Sequence, residues 1–75
     1  MSNRQIECGD TRAVRLRVEK TSRTLADFFR FAALEPSLFH KWSRGEVHPR
    51  PETWSRLLGD LARFEQRQAK RRSAA

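Results

Sequence analysis

One cysteine, three glycines, three prolines and no tyrosine stand among the 75 residues, and no apolar run exceeds four positions. Each scarcity excludes something. Cys8 alone cannot close an internal disulfide, and His40 and His48 are too few to complete a zinc site around it, so a reducing cytoplasm is expected and no metal. The glycines at 9, 45 and 59 are scattered stops, which leaves no glycine-rich phosphate loop. No stretch approaches the ~20 apolar residues of a membrane span, and the opening MSNRQIECGD lacks the apolar centre of a signal peptide. The sequence therefore reads as a soluble cytoplasmic protein with no membrane partner. Acids are also few, nine against sixteen bases.

That imbalance is the strongest compositional feature present. The formal charge is +7, and thirteen of the sixteen bases are arginine. Arginine forks onto phosphate and guanine through two parallel donors, so the balance suits a nucleic-acid partner better than an acidic metabolite. A chain of 75 residues makes one small domain, whose core is only just sufficient.

The centre of the chain, TLADFFRFAALEPSLFHKWSRG from Thr24 to Gly45, predicts two short helices folded around a turn. Leu25, Phe28, Phe29 and Ala32 recur at helical spacing and form one apolar face. Thr24 caps that helix, and Asp27 three residues on completes a capping box. The period breaks at Ala33-Leu34-Glu35. Pro36 then opens a second helix, at the position where its missing amide costs nothing. Phe39 and Trp42 face inward from it, Ser37, His40, Lys41 and Arg44 take the other sides, and Gly45 stops it.

Ahead of this pair, residues 1–9 read as a flexible arm, either a loose end or one whose Arg4 reaches a minor groove or a partner subunit. A first helix starts at Asp10 or Thr11, with Val14 and Val18 inward and Leu16 or Ala13 widening the face. After Gly45, the loop EVHPRP is anchored inward by Val47. Pro51 opens the closing helix, in which Trp54, Leu57, Leu58 and Leu61 form a buried stripe. It either ends near Gly59-Asp60 or, with Phe64 extending the period, continues to about Gln68. Residues 69–75 read as a basic, frayed tail. The expected architecture is all-α: a compact bundle of four to five short helices, over residues 10–68, with a central helix-turn-helix.

Two short helices and a basic second helix form the arrangement that lays a helix in the major groove. Over Leu25 to Leu61, about half the chain, the segment resembles the helix-turn-helix of the Cro and phage-repressor family. WSRG followed by EVHPRPETWSRLL looks like that family's Trp-x-Arg-Gly, short loop, Pro and Glu-Thr-Leu helix opening. The resemblance implies a sequence-specific regulator of double-stranded DNA, most simply a bacterial or phage repressor, in which the first helical turn and the site two beyond Phe39 touch bases: Pro36, Ser37 and Lys41. Leu25 and Pro36 stand where that family often has glutamine, and Leu38 where it has a small polar residue.

The residues themselves support Ser37, His40 and Lys41 as base readers by their donors and acceptors. Leu38 either meets a thymine methyl or packs inward. Arg23, Thr24, Arg44, His48 and Arg50 flank the groove as phosphate contacts, which position without reading. One recognition helix discriminates too little against a genome's competing sites, so a homodimer on an inverted repeat is expected. Phe64, Leu61 and Phe31 are its candidate interface; for Phe31 the alternative is a wider core. Ser37 and His40 lack an orienting carboxylate and an oxyanion hole, so no enzyme is expected, and no cofactor or small-molecule ligand is evident. Two other classes stay open. An RNA-binding protein calls for exposed stacking aromatics, yet most aromatics here fall on core stripes. A protein-interaction module, such as an antitoxin or inhibitor, would keep the fold and hold a partner through Phe31, Phe64 and the tail.

Overall fold

The computed structural model describes residues 6–74, which form an all-α bundle of four helices. These are α1 (Thr11–Glu19), α2 (Leu25–Ala32), α3 (Pro36–Ser43) and α4 (Pro51–Ala74). Each begins where a local signal puts it. The Asp10 carboxylate accepts from the Ala13 amide at 3.2 Å to cap α1. Thr24 and Asp27 close the reciprocal capping box on α2. Pro36 and Pro51 occupy the first turns of α3 and α4, where no amide hydrogen is missed.

The stops are equally local. Ala33 ends α2 in the left-handed conformation, at φ 54°, and the Leu34 amide reaches back to the Phe29 carbonyl at 2.9 Å. An alanine there costs about 1–2 kcal/mol. Packing of Leu34 against the core just after it is the apolar contact that usually accompanies such a stop and offsets the strain. Gly45 ends α3 at φ 76°, where the Glu46 amide donates to the Lys41 carbonyl.

α1 packs on the other three helices and α2 on α4. The core is Val14 and Val18 from α1, Phe28 and Phe29 from α2, Phe39 and Trp42 from α3, and Trp54, Leu57, Leu61 and Phe64 from α4. Its aromatic rings touch in sequence, Phe28 edge-on to Phe64 at 5.4 Å, Phe39 to Trp42 at 6.2 Å and Trp42 to Trp54 at 5.9 Å between centroids. Burying each side chain of this size contributes about 1.5–3 kcal/mol, which is how so short a chain holds together. Arg17 adds a bidentate tie from α1 to Glu65 of α4, at 2.9 and 2.5 Å.

Several expectations are corrected here. The stretch 69–75 is not a frayed tail as far as it is described, because α4 runs on to Ala74. Gly59 does not end it: the stripe of Trp54, Leu57, Leu61 and Phe64 continues through half-buried Glu65 and Gln68, and the residues beyond are good helix formers with basic groups at the negative end of the helix dipole. The arm is part of the fold from Ile6 onward. The Trp54 indole donates to the Ile6 carbonyl at 3.2 Å, and the Cys8 thiol donates to the Pro49 carbonyl at 3.4 Å. Gly9 turns this segment at φ 89°, and a Cβ there would come within 2.9 Å of the His48 ring. Arg4 lies outside the described residues.

Val47 is not the loop's inward anchor: it is 46% exposed, and Pro49 is buried instead. On α1, Ala13 is half-buried while Leu16 points outward at 53% exposure. The expected dimer residues Phe64 and Leu61 are 3% and 0% exposed, so the protomer's own core consumes them. Phe31, half-buried, packs on Phe64 at 5.5 Å, which is the wider-core alternative.

Candidate nucleic-acid interface

The solvent side of α3 is set by what its other side buries. Phe39 and Trp42 are driven into the core, Leu38 packs partly against it, and the Ser43 hydroxyl bonds to that of Thr11 at 3.0 Å, pinning the end of α3 to α1. At 3.6 residues per turn, Pro36, His40, Arg44, Ser37 and Lys41 then fall within one arc of about 140°. All five are exposed. Thus the four candidate base readers, Pro36, Ser37, His40 and Lys41, share one face, and Leu38 sits at its margin, turned toward the core. The His40 ring stands edge-on to Phe29 at 6.4 Å, which gives it a rigid support from α2.

The candidate phosphate contacts differ in how free they are. Arg44 donates from Nε to Glu46 at 2.7 Å, and this bond, with the attraction that goes with it, holds the Glu46 carboxyl below the usual carboxylate range. A phosphate would have to share that guanidinium. Arg23 lies 3.3 Å from Asp27, although its buried Nε makes no hydrogen bond. The Thr24 hydroxyl is already the cap of α2. The Thr24 amide foremost, and then its hydroxyl, lower the Asp27 pKa, with Arg23 and Arg30 adding to the effect. His48 is exposed beside Gly9, and Arg50 is exposed at the entrance to α4. Among the described residues, Arg50 and Lys41 make no ion pair.

Two features escaped the sequence reading. Glu46, which engages Arg44, is by sequence only a loop residue; its spacing of two residues from Arg44 is the available signal. The sequence reading places Arg71 in the tail, although Arg63, Arg67 and Arg71 recur at i+4 and so keep to one side of a single helix.

Six of the seven aromatic side chains are buried, with Phe31 half-buried, so the described surface offers no stacking platform for unpaired bases. No helix among the described residues is long and apolar enough to cross a membrane, and no group of three His, Cys, Asp or Glu there could hold a metal ion. Comparison of the chain with protein-family models, with curated proteins and with solved structures finds no match.

Proposed function

We propose that this protein is a sequence-specific regulator of double-stranded DNA, with α3 as the helix that enters the major groove. The observation that carries the reading is the division of α3 into two sides. Phe39 and Trp42 anchor one in the core, while Pro36, Ser37, His40 and Lys41 stand exposed together on the other. The helix is short, rigidly held and led by side chains that can meet base edges. Arg50 and Lys41 make no ion pair among the described residues, and the +7 net charge favours approach to any duplex. Its resemblance to the Cro and phage-repressor type adds the expectation of repression. Two protomers on an inverted repeat would supply the discrimination that a single eight-residue helix lacks.

The test is enrichment from a library of random duplexes, with single-stranded RNA as competitor. Wild type is expected to enrich an inverted repeat whose half-sites lie about one helical turn apart. Lys41→Ala should lose about 1–3 kcal/mol of discrimination at one symmetric pair of positions. Arg50→Ala should lower the log-log salt slope by about one unit while leaving the preferred sequence unchanged. No enriched duplex, or an enriched sequence that Lys41→Ala leaves untouched, would refute the proposal.

A further inference from the structure

We infer that the groove between α2 and the outer half of α4 is a second phosphate-binding surface, one that takes the sugar-phosphate backbone of nucleic acid beyond the reach of α3. Arg23, Arg30 and Phe31 line it from the α2 side, and Phe64, Arg67 and Arg71 from α4. Asp27 is the one acid in the lining, so four guanidiniums face a single carboxylate. Asp27 is moreover shared, 3.3 Å from Arg23 and 3.9 Å from Arg30. That leaves the α4 arginines uncompensated within the groove.

The arrangement is built rather than scattered. Arg67 lies over the Phe31 ring, 5.7 Å from its centroid, so the aromatic that falls off the α2 stripe serves as a platform that orders a guanidinium at the groove wall. Arg71 follows one helical turn later on the same side. Arg30, 79% exposed in its side chain, also lines the adjoining hollow that ends at Pro36. Arg30 thus stands in both hollows, between the basic groove and the largely apolar one that reaches the leading end of α3. The ten residues from Glu65 to Ala74 carry four bases and one acid, and like charges along one helix repel. A polyanion laid in the groove would relieve that repulsion. Arginine's fork suits phosphate oxygens, and an open channel between two helices suits a chain of them.

The identity of the polyanion rests on the nucleic-acid reading proposed above, and the experiment separates the two. Salt dependence of binding is measured for the full-length chain on the enriched duplex and on a random duplex of the same length. For Arg30→Gln/Arg71→Gln, the slope is expected to fall by about 1.8, at roughly 0.9 per lost phosphate contact, on both duplexes, with the preferred sequence unchanged. Arg67→Lys, which keeps charge but loses the fork, should weaken binding while the slope holds. Circular dichroism checks that both exposed-face variants keep their helix content.

A slope unaltered in the double variant, while Lys41→Ala still changes the preferred sequence, overturns the groove and leaves the DNA reading standing. A lowered slope with no dependence on Lys41 supports the groove and overturns sequence-specific reading by α3. Wild type that binds neither duplex overturns both. Tighter binding of polyglutamate than of duplex, lost in the double variant, makes an acidic protein the occupant and overturns the inference. Inorganic phosphate bound without any change in duplex slope does so too.

Discussion

At the scale of single residues, Trp42 and Asp27 show two different ways in which α3 and its neighbour are held. Trp42 is 6% exposed and lies edge-on to both Phe39 and Trp54, so it joins α3 to α4 through the core. Trp42→Ala removes that joint and should destabilise the protein by about 3–5 kcal/mol, a large share of the 5–15 kcal/mol typical of a domain. Urea unfolding followed by far-ultraviolet dichroism measures it, and an unchanged midpoint would place Trp42 outside the core. Asp27 acts through its charge. Its carboxyl is held below the usual range by the Thr24 amide, then the Thr24 hydroxyl, and by the two arginines beside it. A carboxyl depressed in the folded state contributes stability that is fully present above its unfolded pKa, about 3.9, and is lost as the pH falls through its lower folded value. Stability should therefore decline below about pH 4, and Asp27→Asn should flatten that decline. Unfolding free energies between pH 2 and 6 read the difference directly.

At the scale of elements, α4 is two helices in one. From Trp54 to Phe64 it contributes four core side chains, whereas beyond Phe64 only Glu65 and Gln68 are even half-buried among the side chains described. The first half is held by tertiary packing and the second by propensity, the Arg17 tie and its dipole. Isolated helical segments of that length are marginal in water. Amides of residues 66–74 should accordingly exchange at least about tenfold faster than those of 57–64, the ratio made by about 1.4 kcal/mol of local stability. Native-state hydrogen exchange resolved by residue tests it; uniform protection along α4 would show that the outer half has a partner in the free protein. The expected end near Gln68 falls short of Ala74 for the same reason: the apolar period that carries the helix past Gly59 stops at Phe64, and beyond Gln68 only helix propensity continues it.

At the scale of the whole molecule, the 24 residues of α4 span about 36 Å along a particle whose long axis is 41 Å, with α1 and α2 packed against it and α3 packed on α1. Phe64 and Leu61 are spent inside that cluster, and the large apolar side chains exposed on the described surface are Leu16 and Val47, on different elements. A stable dimer in solution needs a larger contiguous apolar patch than two separated side chains make. The free protein is thus expected to sediment as a monomer at micromolar concentration and to pair only on an inverted-repeat duplex, two protomers to a site. A stable dimer without DNA would mean that a surface around Leu16, Val47 or Phe31 suffices, and Phe31→Asp would then test one of the three.

The four helices and their starts were legible because their causes are local. A capping box, two prolines at first turns and apolar residues at a 3.6 period act over a few positions, and each is written in adjacent letters. So was the split face of α3, since Phe39 and Trp42 determine by spacing alone which side Pro36, Ser37, His40 and Lys41 must take. What only the tertiary structure decided depends on segments distant in the chain. The Ile6 carbonyl meets the Trp54 indole across 48 residues, Arg17 meets Glu65 across the same separation, and Phe31 finds Phe64 and Arg67 on another helix. A one-dimensional period shows that a side chain is apolar or charged on a given face; which face it then meets is decided when the helices pack, because burial and ion pairing are properties of both partners. That is why Phe64 reads as interface and proves to be core, and why Arg71, placed in a tail by the sequence, stands with Arg67 on the wall of a groove.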